Sequence, residues 1–171
     1  MGSEMCIRDR ADFENFVRLA YLSPSLHHSG GTVCEPVDIP VNKRHLDMVY
    51  SHLKLSDKPF MGSVTEPSRA QDTVDMAKIV FGAEFVDQNC VITSLINANS
   101  PMTFDATMLG AARVYAENNQ ATVISPFILA GAMSPVTVVG TCTQILAEAM
   151  AGVCFTQLVR LSLIHISEPT R

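Results

Sequence analysis

Short apolar runs alternate with amphipathic stretches along this chain, and this alternation limits the fold more than any other feature. The apolar runs predict four strands, at residues 26–33, 59–64, 90–96 and 121–129. The amphipathic stretches predict four helices, at residues 42–55, 68–81, 103–118 and 135–159. The last three strands begin about 31 residues apart, the length of one strand-loop-helix-loop unit. Such alternation is typical of a parallel sheet covered by helices.

Turn and cap residues mark the ends of the predicted helices. Ser68 and Gln71 have the spacing of a capping box, and Gly82 follows the same helix, where a left-handed residue would end it. Ser100-Pro101 and Ser134-Pro135 each predict an N-cap residue followed by proline in the first turn. The third and fourth helices are therefore expected to begin close to these two prolines.

Four consecutive strand-helix units are half of an eight-unit barrel. A complete barrel needs about 250 residues, so this chain of 171 residues is too short to close one. We expect an α/β fold that is a partial (β/α)8 TIM barrel of about four consecutive units. A small doubly wound sheet is the alternative, although the chain contains neither a GxGxxG nor a GxxxxGKS/T phosphate loop.

The two ends of the chain are related through their DNA. Back-translation of residues 161–171 gives an element whose reverse complement encodes residues 1–9 when GTG is read as the start codon. Two protein ends that are opposite strands of one DNA element have no folding explanation and are typical of a translated sequencing adapter. We therefore expect residues 1–10 and 161–171 to be adapter-derived and residues 11–160 to be a partial TIM-barrel domain.

Charge, hydropathy and cysteine spacing exclude several classes of function. The formal net charge of -5 offers no basic surface for nucleic acid. No uninterrupted run of 18 or more apolar residues occurs, so we expect no membrane span. Cys34, Cys90, Cys142 and Cys154 form no CxxC pair, and their apolar neighbours predict reduced cysteines in the core of a cytoplasmic protein.

The first two strand ends carry histidine and glutamate, at the edge where parallel α/β folds place their functional residues. His27 and His28 belong to the first such cluster, and Glu35 lies just beyond it. These are metal-ligand types, but adjacent histidines on an extended segment point to opposite faces, which disfavours a shared metal. One histidine is instead a candidate for hydrogen bonding in a pocket. Glu66 follows the second strand, either as a carboxylate facing a cation or as a complement to the helix dipole.

The third and fourth strand ends carry amides and small residues. Asn97 and Asn99 serve there either as turn residues or as hydrogen-bonding groups in a pocket. Small residues after the fourth strand would let a large planar ligand approach, close to Phe127, Gly131 and Met133; tight strand-to-helix packing is the alternative. No Ser-His-acid or paired-carboxylate spacing occurs, so spacing alone names no reaction.

Five segments of the sequence resemble those of a known family and thereby indicate a reaction. They read HHSGG at 27–31, NANSPMTFD at 97–105, ARVYAENNQ at 112–120, SPFILAGAMSPVT at 125–137 and AEAMAG at 147–152. Their wording and order closely resemble the trimethylamine methyltransferase family, and the resemblance runs through residues 11–160. Cys142 and Cys154 depart from the family pattern, in which we expect Leu and Ala, and both changes are tolerable in a packed helix.

The resemblance implies a (β/α)8-barrel enzyme that moves a methyl group from a methylated amine, of trimethylamine or glycine betaine type, to the cobalt of a separate corrinoid protein. The corrinoid would then be presented by that partner and not bound directly as a cofactor of this chain. The full-length parent is expected to be a homo-oligomer. Trimethylamine enzymes of the family carry pyrrolysine, whereas others lack it and demethylate quaternary amines; the pyrrolysine position is expected beyond Arg160.

The resemblance also implies that the site holds a cation and, in a betaine, a carboxylate. The candidates for the cation are aromatic faces and carboxylates: Phe60, Phe104, Phe127, Glu35 and Glu66. The candidates for a substrate carboxylate are hydrogen-bonding side chains: Asn97, Asn99, His27 and His28. Gly131 and Met133 are the candidates for contact with the corrinoid.

Two other classes of protein remain as alternatives, a barrel enzyme of lyase or aldolase type and a non-catalytic small-molecule-binding domain. A Schiff-base enzyme needs a lysine at a strand end. The candidate lysines lie instead on predicted helices or before a strand: Lys43, Lys54, Lys58 and Lys78. Because half a barrel exposes strand edges and an apolar interior, the chain by itself is expected to be insoluble or to oligomerise, and to be inactive.

Overall fold

The computed structural model describes residues 9–28 and 35–161 of the chain. The helices in these residues are α1 (Arg10–Leu22), α2 (Val41–Leu55), α3 (Pro67–Phe81), α4 (Ala83–Gln88), α5 (Ala106–Glu117) and α6 (Val138–Val159). The strands are β1 (Phe60–Met61), β2 (Ile92–Asn99), β3 (Thr103–Phe104) and β4 (Ala121–Phe127). The predicted alternation is confirmed from β1 onward. Of the first predicted strand, residues 26–28 form no strand, and residues 29–33 lie outside the described part.

The sheet is parallel in its three main strands, as predicted. β2 lies between β1 and β4, with Phe60 beside Ile92 and Asn97 beside Ser125. The short strand β3 turns back and pairs antiparallel with the end of β2. Within the described residues the sheet is open and does not close into a barrel.

The two faces of β2 have different environments, as expected from the alternation of side chains along a strand. Ile92 and every second residue after it are fully buried, up to Ala98. Ile92 belongs to the same core cluster as Val74 of α3 and Tyr115 of α5, so this face is covered by helices. The residues between them point to the opposite face and are only partly buried or exposed. We call this second surface the open face; it comprises Thr93, Leu95, Asn97 and Asn99 of β2 and their β4 partners Ala121, Val123, Ser125 and Phe127.

Two helices begin later than predicted, because the capping side chains stand after the Ser-Pro pairs. The Asp105 carboxylate accepts hydrogen bonds from the first N–H groups of α5, and the Thr137 hydroxyl accepts one from Gly140 at the start of α6. Ser100-Pro101 is instead a cis peptide in the turn between β2 and β3. The expectation that these pairs start helices was therefore wrong.

The ends of α3 were predicted in part. The helix begins at Pro67 with Glu66 as its N-cap residue, so Ser68 lies within the helix and the predicted capping box is wrong. Proline in the first turn accounts for the earlier start, since its backbone is already set for a helix and its missing N–H would have no partner there. Gly82 ends the helix with a φ of 90°, in the left-handed region that the sequence predicted.

The cysteines within the described residues do not lie in the core. Cys90, Cys142 and Cys154 are exposed free thiols, whereas Cys34 lies outside the described residues. Cys142 and Cys154 belong to α6, which turns Glu148, Gly152 and Thr156 inward. The prediction of core cysteines was wrong for these three. For Cys142 and Cys154 the reason is that apolar neighbours in sequence do not decide which side of a helix meets the sheet.

Helix α6 has the length and mean hydropathy of a helix that could cross a membrane. Of its most apolar 18-residue stretch, only 11% is buried. We had expected no membrane span, because Gln144 and Glu148 interrupt the apolar run. The mean hydropathy of the helix stays high in spite of these two residues. A single helix of this kind is weak support for a span. In the structure Gly152 of α6 packs against Ile124 of β4, so one side of the helix covers the sheet.

Candidate active site

The carboxyl ends of β2 and β4 bring together three of the predicted site residues. Asn97 pairs with Ser125, and Asn99 pairs with Phe127. Paired side chains in a parallel sheet point to the same face, roughly 5 Å apart. The Phe127 side chain is 64% exposed, and Asn97 is half-buried. Two amides therefore stand beside an accessible aromatic ring, a combination that suits a small molecule with both polar and cationic parts.

A cavity of about 500 Å³ adjoins this cluster, with Asn97 in its wall. The cavity lies between α2, the segment after β1, and β2. Its lining includes Met61, Ser63, Arg44, Arg69, Leu95 and Met108. Its size and its mixture of apolar and polar side chains are typical of small-molecule sites.

The two predicted glutamates are each paired with an arginine. Arg44 donates to Glu35 at 3.0 Å, and the Nε atom of Arg69 lies 3.5 Å from Glu66. Both glutamate side chains are more than half exposed, so water screens these pairs. Since an arginine already neutralises each carboxylate, neither is well placed to attract a substrate cation.

The predicted histidines lie towards the other end of the strands. His28 shares a hydrogen bond with the Thr93 hydroxyl near the start of β2, and His27 is exposed. Thr93 precedes Asn97 by four residues, which corresponds to roughly 13 Å along a strand. Burial lowers the pKa of His28, which favours its neutral form. The structure therefore does not bring His28 to the asparagines.

The other aromatic candidates differ from Phe127 in their surroundings. Phe60 is 2% exposed and stacks on His52, so it belongs to the core and presents no face to a substrate. Phe104 is half-buried in β3, opposite Ala98. Phe127 is thus the aromatic candidate with an accessible ring on the open face.

The loop between β4 and α6 holds Gly131 and Met133 in a compact turn. Gly131 has a φ of 81°, and its N–H donates to the Ser134 carbonyl at 3.0 Å. Met133 is partly buried, and its N–H donates to the Leu129 carbonyl at 2.9 Å. Exposed apolar side chains surround this turn: Phe127, Leu129, Val136, Val138 and Val139. Such a surface would accommodate a flat apolar group more readily than a charged one.

A buried carboxylate at this edge was not predicted. Glu148 of α6 is 0% exposed and accepts hydrogen bonds from the Ser100 hydroxyl, the Met102 N–H and the Gln144 amide. Burial acts to raise the pKa of Glu148, but the three hydrogen bonds outweigh it, so the pKa lies below its ordinary value and the group is ionised at neutral pH. The signal in the sequence was an acidic residue within an otherwise apolar helix.

The sequence profile of the trimethylamine methyltransferase family matches residues 4–163 of the chain. The chain belongs to the trimethylamine methyltransferase family. This confirms the resemblance that the strand-end loops indicated. The fold of this methyltransferase family member is a parallel α/β sheet, and polar side chains gather at the carboxyl ends of its strands.

One curated relative of this methyltransferase family member is a glycine betaine methyltransferase from Desulfitobacterium hafniense (strain Y51). The two sequences are 44% identical over 149 residues, which cover 86% of this chain and 31% of the relative. The chain therefore spans about a third of the length of that relative.

Gly62 directly follows β1. We expect this position to tolerate no side chain. A Cβ atom there would collide with the Tyr115 hydroxyl and approach Ile92 Cγ2 to 2.8 Å. The Tyr115 hydroxyl donates to the Ser63 carbonyl at 2.7 Å, so the collision would also disturb the wall of the cavity. Gly62→Ala should lower the free energy of unfolding by about 2 kcal/mol in urea denaturation. The neighbouring Ser63→Ala should change it by less than about 0.5 kcal/mol, and equal values for the two variants would contradict this packing.

Proposed function

We propose that this chain is part of a longer (β/α)8-barrel enzyme that transfers a methyl group from a methylated amine to the cobalt of a corrinoid protein. Membership of the trimethylamine methyltransferase family is the observation that carries the proposal. The open parallel sheet and the partial coverage of the relative support a barrel completed by further strand-helix units. The chain alone, with an unclosed sheet, is expected to be inactive.

The reaction breaks one C–N bond of the amine. A quaternary amine leaves as a neutral tertiary amine with the electron pair of that bond, so no general acid is needed. The reduced corrinoid of the partner protein supplies the nucleophile that accepts the methyl group. The task of this chain is then to orient the amine and to exclude water from the transfer.

We propose a quaternary amine with a carboxylate, of the glycine betaine type, as the substrate. The name of the relative supports this class. The exposed face of Phe127 would hold the ammonium group, and the amides of Asn97 and Asn99 would donate hydrogen bonds to the carboxylate. His27 and His28 are weaker candidates, because His28 lies near the start of β2.

The corrinoid would approach over the loop between β4 and α6. Gly131 lacks a side chain and Met133 is flexible, so a planar ring could come close to the backbone there. The exposed apolar side chains around this loop fit such a group, because they offer contact area without a charge to desolvate. We further propose that the longer protein is a cytoplasmic homo-oligomer that docks the corrinoid protein at this edge.

The test is methyl transfer by the longer protein in the presence of a reduced corrinoid protein. Glycine betaine and trimethylamine are supplied separately, and cobalt methylation is followed by its visible absorption. Methylation with glycine betaine is the expected result. If only trimethylamine supports methylation, the substrate assignment is wrong; if neither amine does, the proposed function is wrong.

Replacing Asn97 tests the assignment of the carboxylate. Loss of a hydrogen bond to a charged group costs about 1.5–3 kcal/mol, so Asn97→Ala should raise KM for glycine betaine at least about tenfold. Asn42→Ala, which removes an exposed amide from α2, serves as the control and should leave KM unchanged. An unchanged KM for Asn97→Ala would remove this residue from the binding site.

A further inference from the structure

Glu148 connects two loops that are distant in the sequence. The hydroxyl of Ser100 donates to one carboxylate oxygen, and the N–H of Met102 donates to the other at 2.9 Å. Both groups belong to the turn between β2 and β3. On α6 itself, the amide of Gln144 donates to Glu148 at 2.9 Å and to the Met133 carbonyl at 2.8 Å. The chain of contacts therefore runs from the turn after β2, through α6, to the loop after β4.

We propose that Glu148 is a positioning residue of the methyl-transfer site. It fixes the end of β2 that carries Asn97 and Asn99 relative to the loop between β4 and α6. This inference rests on the proposed function. Ser100 directly follows Asn99, so holding the turn sets the direction of the last strand residues. Met133 follows β4 by six residues, so holding its carbonyl sets the loop next to Phe127. Glu148 is fully buried and would touch neither the amine nor the corrinoid.

The carboxylate has a function here that an apolar side chain could not fulfil. Glu148 lies within a helix that is otherwise apolar enough to resemble a membrane span, and burying a carboxylate there is costly. Three neutral donors compensate that cost, and one of them comes from a side chain four residues away on the same helix. A residue that only filled space would need no such hydrogen-bond donors. The three donors therefore support a function of Glu148 in linking the two loops.

The experiment compares Glu148→Leu with Glu148→Gln in the longer protein. Leucine leaves the Ser100 hydroxyl and the Met102 N–H without their acceptor and leaves Gln144 with only the Met133 carbonyl. Glutamine keeps one acceptor oxygen, and its NH₂ group can donate to the Ser100 hydroxyl. Glu148→Leu is expected to lower kcat/KM for glycine betaine at least about tenfold, mainly through KM. Glu148→Gln is expected to stay within about threefold of the wild type. A folded Glu148→Leu protein with unchanged kcat/KM would overturn the proposal, as would equal losses in both variants.

A control on the same helix separates positioning from general damage to α6. Thr156 is buried two turns further along and donates to the Val153 carbonyl at 2.9 Å, far from both loops in sequence. Thr156→Val should lower the melting temperature without changing KM. If Glu148→Leu does not fold, Ser100→Ala and Gln144→Leu each remove one donor and should raise KM in the same direction; no change in either would overturn the proposal.

Hydrogen exchange gives a readout that does not depend on the reaction. The amide of Met102 should exchange at least about tenfold faster in Glu148→Leu than in the wild type, because its acceptor is lost. Its rate should be close to the wild-type rate in Thr156→Val. If the wild type transfers no methyl group, the proposed function fails, while unchanged exchange at Met102 would count against the link itself.

Discussion

Gln120→Leu is expected to lower the free energy of unfolding by about 4 kcal/mol. Gln120 is 0% exposed and stands immediately before β4. Its Oε1 atom accepts from the N–H groups of Val91 and Ile92, at 2.9 and 3.0 Å. Its amide nitrogen donates to the carbonyls of Val86 at 2.8 Å and Asn118 at 3.0 Å. Leucine has a similar volume but would leave these buried groups without partners.

Urea denaturation of the longer protein measures this effect, and hydrogen exchange locates it. The amides of Val91 and Ile92 should lose protection in Gln120→Leu, because they are the groups whose acceptor is removed. Gln71→Leu is the matched control, since Gln71 lies on α3 and its amide contacts only an exposed partner, Asp75. The control should change stability by less than about 0.5 kcal/mol. A loss below about 1 kcal/mol in Gln120→Leu would show that water replaces the missing partners.

The strands of the sheet were predictable because the signal for them is local. β2 and β4 are nearly continuous apolar runs, and the sequence placed each within a few residues of its observed bounds. Gln120 gave no such signal. It looks like a loop residue, and its importance comes from groups about 30 residues earlier in the chain, which only the packed structure brings to it.

The candidate site was predictable to the extent that it follows from strand ends. Asn97, Asn99 and Phe127 were found because parallel strands carry their loops to one edge. Glu148 was missed because its partners, Ser100 and Met102, lie 48 and 46 residues away. Local patterns report which residues share a helix face or a strand, whereas contacts of this range depend on how the units pack.

The same limit applies to the turn after β2. Ser100-Pro101 fits a helix start by its local chemistry, and the sequence offered no reason to prefer a turn. The structure instead pairs β3 with β2 and begins α5 at Ala106, with the Asp105 carboxylate as its cap. The choice between two acceptable caps was therefore decided by strand pairing and by the contact with Glu148, neither of which is encoded within the turn itself.

The stability of the fold is expected to fall as the pH is lowered from about 6.5 to about 4, because His52 is buried in its neutral form. His52 is 4% exposed and packs against two aromatic rings, edge-on to Phe13 at 5.4 Å and stacked on Phe60 at 5.6 Å. Burial, with a smaller contribution from the charge of His28, lowers the pKa of His52 from 6.5 to about 4. In the unfolded chain the same group takes up its proton near its ordinary pKa.

The direction of the effect follows from which state binds the proton. Between pH 6.5 and 4 the unfolded chain is protonated at His52 and the folded chain is not, so acid favours unfolding. The shift corresponds to about 3 kcal/mol in total, of which about 2 kcal/mol should appear between pH 7 and pH 5 in urea denaturation. His52→Leu should lose this part of the pH dependence and keep the contribution in the same direction from His28. Gln71→Leu, which changes no titratable group, should keep the full slope. If His52→Leu and the wild type lost stability equally between pH 7 and pH 5, then His52 would be protonated within the fold, and the aromatic cluster of α1, α2 and β1 would have to be open to water.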